Sequence, residues 1–139
     1  MREYDNEFKP DSWEKATILL VDDDYTSFLL IEEILVPAKV KLIYASNGLI
    51  AVNMCHKGAI DLVLMDLCMP VMDGFEAIKA IRLFLPNIPI IAISACAFKT
   101  DLERCKEAGC NDYMSKPIEI SNLIEMVADH LCLSPEVWC

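Results

Sequence analysis

Short unbroken apolar runs alternate along this chain with longer stretches in which apolar residues recur every three or four positions. Thr17-Ile18-Leu19-Leu20-Val21 is continuously apolar after Thr17, as expected of a strand covered on both faces. Tyr25 to Val36 then places Phe28, Leu29, Ile31, Ile34 and Leu35 on roughly one side, with Glu32 and Glu33 opposite; this predicts an amphipathic helix stopped before Pro37. Lys41-Leu42-Ile43-Tyr44-Ala45 is a more amphipathic strand, expected near a sheet edge. Asn47 to Lys57 predicts a helix with Leu49, Ile50, Val52 and Met54 as its apolar positions and Gly58 closing it. Leu62 to Met65 is a third strand, ending on Asp66, and Leu67 to Gly74 is a loop because Pro70 and Asp73-Gly74 form turns.

The second half continues the alternation. Phe75 to Leu83 predicts a helix with Phe75, Ile78 and Ile81 inward, ended by Pro86. Ile88 to Ser94 is a fourth strand, with Pro89 tolerable only at its beginning. A helix over Thr100 to Ala108 capped by Gly109, a strand over Asn111 to Ser115 and an amphipathic helix over Ser121 to Leu131 follow. Five strands alternating with five helices predict an α/β fold, a doubly wound parallel sheet with helices on both faces. One domain is expected over residues 16–133, between an N-terminal tail or linker (1–15) and a C-terminal tail (134–139). Trp13 is the exception in the polar N-terminal stretch and is expected to pack on the domain edge.

Composition narrows the function. The 139 residues carry a net charge of −10, from 22 acids against 12 Lys plus Arg, so a nucleic-acid backbone would repel the surface. No apolar run approaches the ~20 residues needed to span a bilayer, and the start has no secretory pattern, which points to a soluble cytoplasmic protein. The seven cysteines form no C-x-x-C pair and lie scattered through apolar segments; they are expected to be reduced thiols packing as small hydrophobes. His56 and His130 have no partner in the local sequence and are expected to be ordinary surface histidines.

The chemistry concentrates at strand ends. Val21 is followed by Asp22-Asp23, and Met65 by Asp66. If the first and third strands are neighbours, three carboxylates meet at one end of the sheet, where ligands of open α/β sheets sit. Like charges there need compensation, and a hard divalent cation such as Mg²⁺ supplies it through oxygen ligands. Ser94 ends the fourth strand with a hydroxyl, and Lys116 follows the fifth with a mobile ammonium. Asp24 is expected to cap the helix that follows it.

In order and spacing, Ile18-Leu19-Leu20-Val21-Asp22-Asp23, Asp61 to Asp66 with Met69-Pro70 and Asp73-Gly74, Ile90 to Ala95, and Tyr113-Met114-Ser115-Lys116-Pro117 resemble the receiver domains of two-component response regulators (CheY-like), from about Thr17 to Leu131. The resemblance implies a flavodoxin-like sheet of order 2-1-3-4-5, which the general description of doubly wound folds already gives for this family. It implies that Asp66 is the phosphoacceptor, receiving a phosphoryl group from phosphohistidine. Asp22 and Asp23, with Asp66 and the backbone carbonyl of Cys68, would hold Mg²⁺, with Mn²⁺ as an alternative. Lys116 would contact the phosphoryl oxygens, with a cis peptide to Pro117. Ser94 would be the switch hydroxyl and Tyr113 the aromatic that turns inward when Ser94 moves. Cys68 and Cys96, two residues beyond Asp66 and Ser94, match the positions that tune water access to the acyl phosphate; as uncharged thiols they imply a phosphorylated state of moderate to long life.

Glu32-Glu33-Ile34-Leu35 and Glu107 to Tyr113 most resemble receivers attached to hybrid sensor histidine kinases, with residues 1–15 as the tether and a free-standing receiver as the alternative. The expected partners are a histidine kinase dimerisation domain or a histidine phosphotransfer protein, and a phosphorylation-dependent homodimer; the segment itself is expected to touch neither nucleic acid nor membrane, though a membrane sensor kinase would tether it. Such a domain catalyses its own phosphorylation and dephosphorylation rather than turning over substrate. Two rival readings remain at this point. Asp22-Asp23-Asp24-Tyr25-Thr26 fits the D-x-D-x-T pattern of haloacid-dehalogenase phosphatases, with Asp22 as nucleophile and Asp24 as acid-base. A phosphorylation-independent binding module of the same fold is the other.

Overall fold

The computed structural model describes residues 10–95 and 99–135, with residues 99 and 100 described by their backbone alone. Its elements in chain order are β1 (Thr17–Val21), α1 (Tyr25–Leu35), β2 (Lys41–Ala45), α2 (Gly48–His56), β3 (Leu62–Asp66), α3 (Gly74–Arg82), β4 (Ile90–Ser94), α4 (Lys99–Ala108), β5 (Asp112–Ser115) and α5 (Ile120–Leu131), with short 3-10 turns at Trp13–Lys15 and Val36–Ala38. The five strands form one parallel sheet in the order β2-β1-β3-β4-β5, as expected, with β2 at an edge.

The period-2 geometry of the strands sorts their side chains into two cores. Leu19, Val21, Val63, Met65, Ile90 and Ala92 face α2, α3 and α4, meeting Ala51, Ala77, Ile78, Ile81 and Cys105. Ile18, Leu20, Leu62, Leu64, Ile91 and Ile93 face the other way, onto Phe28, Ile31 and Leu35 of α1 and Leu123, Val127 and Leu131 of α5. Trp13 joins this second core at 4% exposure, and its Nε1–H donates to the Ser134 carbonyl at 2.7 Å.

Helix starts follow their caps. Asp24 accepts from the Thr26 amide at 3.0 Å, as expected, and Asn47 from the Ile50 amide at 2.9 Å, which makes Asn47 the cap rather than the first residue of α2. Asp73 and Glu76 form a reciprocal capping box at α3. The fourth strand begins at Ile90 rather than Ile88, because Pro89 has no N–H to give the ladder.

Three sequence expectations are corrected. Leu29 is 47% exposed, and on α2 Leu49 and Ile50 also face solvent, while Ala51 and Cys55 form the buried face. Small residues there let α2 lie close to the sheet, and the larger ones point away. Cys55 and Cys105 are buried as expected of small hydrophobes, but Cys68 and Cys132 are exposed. Both histidines have partners from elsewhere in the fold: His56 stacks on Phe84 with ring centroids 3.6 Å apart, and His130 Nε2 lies 3.0 Å from Asp112 Oδ2.

Candidate functional site

Parallel pairing of β1 with β3 sets Val21 beside Met65, so the acids that follow each strand converge at the carboxyl edge of the sheet. One carboxylate oxygen from each of Asp22, Asp23 and Asp66 lies within 4.8 Å of the others. Asp22 and Asp66 are buried, whereas Asp23 is exposed. Lys116 reaches the same point from the end of β5: its Nζ is 3.1 Å from Asp22 Oδ2 and 3.8 Å from Asp66 Oδ2. The peptide between Lys116 and Pro117 is cis.

Backbone groups hold the carboxylates in place. The Asp24 amide donates to Asp22 Oδ1 at 2.9 Å, and the Cys68 amide to Asp66 Oδ1 at 3.3 Å. Gly74 makes the tight packing of the β3–α3 loop feasible. A Cβ there would sit 2.7 Å from the Leu67 Cα and closer still to the Asp66 carbonyl, so only glycine fits.

Electrostatics follow from this crowding. Burial, and then the negative charge of Asp22, raise the Asp66 carboxyl from its ordinary 3.8 to about 6, with Lys116 and the Cys68 amide pulling the other way. Burial alone would depress the Lys116 ammonium, but its hydrogen bond to Asp22 and the charge of Asp66 outweigh that and raise it. Three hard oxygen donors around one point, with a buried like-charged pair among them, are the donor set that a small divalent cation satisfies; the residues present fit Mg²⁺.

The remaining expected residues fall as follows. Ser94 ends β4, is buried, and lines a cleft with Cys68; the Lys116 amide donates to its carbonyl at 2.8 Å. Tyr113 lies beside Ala92 in the β4–β5 register and packs, half-buried, against the core under α2, α3 and α4. Cys68 presents its thiol to solvent. Cys96 lies outside the described residues. Asp24, the acid-base of the phosphatase reading, is engaged as the α1 cap, its Oδ1 also accepting from the Thr26 hydroxyl at 2.6 Å.

Two features were not anticipated from the sequence. Tyr44, at the end of β2, donates its hydroxyl to the Asp22 carbonyl at 2.6 Å and sits in an aromatic cluster with Tyr25 and Phe28. Only the β1–β2 pairing, which sets Tyr44 beside Leu20, reveals it. Arg104 of α4 lies over the Phe75 ring, with Cζ 3.8 Å from the centroid. Nothing in their separate helical patterns marks that pair.

Comparison with known proteins agrees with this geometry. A family model described as response regulator receiver domain matches residues 18–128. Hybrid signal transduction histidine kinase B of Dictyostelium discoideum is 37% identical over 128 aligned residues, covering 82% of this chain but only 6% of that protein. The receiver domain of sensor histidine kinase PA1611 from Pseudomonas aeruginosa PAO1, solved with a magnesium ion coordinated in its active-site cleft, is 33% identical with a TM-score of 0.78, covering 84% of this chain and 98% of that one. The co-crystal of the Saccharomyces cerevisiae histidine phosphotransfer protein Ypd1 with the receiver domain of its downstream response regulator Ssk1 matches with a TM-score of 0.81 and 29% identity, over 91% of this chain and 92% of that one.

Proposed function

The chain belongs to the response regulator receiver domain family, and from that membership we propose that Asp66 takes up a phosphoryl group from a phosphohistidine donor. It is a receiver domain of two-component and phosphorelay signalling. The observation that carries the assignment of residues is the meeting of Asp22, Asp23 and Asp66 at one sheet edge, with Lys116 against two of them.

Each group has a task that suits its surroundings. Asp66 supplies the attacking carboxylate oxygen; with its pKa near 6 it is ionised at neutral pH. The Cys68 amide fixes Oδ1, leaving Oδ2 on the side facing Lys116. Asp22, Asp23 and Asp66, with the Cys68 carbonyl, would hold Mg²⁺, whose charge offsets that gathering on the transferred phosphoryl oxygens. Lys116 is close enough to leave Asp22 for those same oxygens, where its charge offsets the negative charge that gathers in the transition state. Ser94 then donates its hydroxyl to the phosphoryl group, and Tyr113 packs into the space released, so phosphorylation biases an existing two-state equilibrium.

The donor is a histidine phosphotransfer protein or a kinase dimerisation domain, which the likeness to the Ssk1 receiver supports. Attachment to a hybrid histidine kinase is the context favoured by the Dictyostelium relative. Among the described residues no helix is long and apolar enough to cross a membrane. Incubation with a phosphorylated histidine phosphotransfer protein tests the proposal. Transfer should require Mg²⁺ and vanish in Asp66→Asn; transfer that persists in EDTA or in that variant would refute it.

A further inference from the structure

Arg104 and Phe75 connect α4, the helix that follows Ser94 in the chain, to the start of α3 beside the β3–α3 loop. Phe75 is the second residue of α3 and directly follows Gly74, whose amide donates to the Leu67 carbonyl at 3.2 Å and whose Cα is wedged against the Asp66–Leu67 backbone. Its ring therefore follows the loop that carries the phosphoacceptor. Arg104 belongs to α4, which residues 95–98 join to Ser94. Between the β3–α3 loop and α4 lies a cleft of about 410 Å³, lined by Cys68, Met69 and Asp73 of the loop, by Asp101 and Arg104 of α4, and by Ser94. The guanidinium spans from the α4 wall onto the Phe75 ring, at 3.8 Å.

We propose that Arg104 is a positioning residue, a strut whose contact with Phe75 holds α4 in the arrangement seen here and so opposes the movement of Ser94 toward a phosphorylated Asp66. The inference rests on the roles given above to Asp66 and Ser94. A contact made in one of two arrangements favours that arrangement by its own strength and no more. An exposed cation–π pair shifts such an equilibrium roughly two- to fivefold. Removing either partner should therefore free the switch by that factor.

The test is the affinity for beryllofluoride, a phosphoryl mimic formed from Be²⁺ and fluoride, measured by calorimetry in the presence of Mg²⁺. The dissociation constant should fall roughly two- to fivefold in Arg104→Met and in Phe75→Leu, and the double variant should gain no more than either alone. Arg104→Lys, which keeps a cation over the ring, should fall less. Unchanged or weaker binding in both single variants, additive shifts, or a shift confined to Arg104→Met would overturn the strut. If Phe75→Leu does not fold, an ionic-strength series on Arg104→Met decides: a long-range charge effect fades with salt, whereas the loss of a strut does not. Absence of beryllofluoride binding to the unaltered protein would instead remove the phosphoacceptor reading on which the strut depends.

Discussion

The Lys116 ammonium sits 3.1 Å from Asp22 Oδ2, nearer than it comes to Asp66. In this arrangement the lysine pairs most closely with Asp22, the more deeply set of the two buried acids, and also reaches Asp66, the proposed phosphoacceptor, at 3.8 Å. Replacing it leaves Asp22 and Asp66 facing each other without a cation. Lys116→Met should raise the Asp66 pKa further and slow phosphorylation by acetyl phosphate at least about tenfold, since one charge-stabilising donor is lost from the transition state. Carboxyl titration by NMR and a phosphorylation time course would show both effects; an unchanged rate would remove Lys116 from the chemistry.

The raised pKa of Asp66 has a stability consequence of definite sign. Between pH 3.8 and about 6 the folded protein holds a proton on Asp66 that the unfolded chain has released. Stability in the absence of divalent cations should therefore fall as pH rises through that window. Asp66→Asn should lose that component of the slope and be the more stable protein at pH 7. Urea unfolding in EDTA across the range measures it, and a wild-type curve that rises with pH no less than that of the variant would contradict the assignment.

Tyr44 supports the acid pair from behind. Its hydroxyl holds the Asp22 carbonyl, so Tyr44→Phe should cost about 1 kcal/mol of stability. Because Asp22 is then less firmly oriented, Mg²⁺ affinity should fall as well, by about tenfold or more. Unfolding midpoints and Mg²⁺ titration of the same variant separate the two effects.

Under the proposed mechanism, Cys68 is expected to set how long the phosphorylated state persists. Its exposed thiol, two residues beyond Asp66, lines the cleft with Ser94, and an uncharged thiol is expected neither to orient nor to activate an attacking water. Cys68→Asn, which adds a hydrogen-bonding side chain at that point, should change the dephosphorylation rate while leaving the fold intact. Equal decay of the two phosphorylated proteins would show that water reaches the acyl phosphate by another route.

Much of this site was legible in the sequence because parallel sheets place their chemistry at strand ends. Asp22, Asp23, Asp66, Ser94 and Lys116 each follow or end an apolar run, and runs of that kind can be seen without knowing which strands are neighbours. The unforeseen features all depend on neighbours. Tyr44 touches Asp22 only because β2 pairs with β1, and His130 meets Asp112 only because α5 packs back against the sheet. Helix periodicity likewise finds an apolar stripe but cannot tell which of two adjacent stripes faces the sheet. For that reason Leu29, Leu49 and Ile50 turned out exposed while Ala51 and Cys55 went inward. The Arg104–Phe75 pair joins two helices whose spacing is set by the whole fold.

The most direct measurement locates the phosphoryl group itself. After brief treatment with acetyl phosphate and Mg²⁺, acid quench and peptide mapping by mass spectrometry should place a single adduct on the peptide carrying Asp66, at that residue. An adduct on Asp22, or a protein that takes up no phosphoryl group while folded and Mg²⁺-saturated, would contradict it.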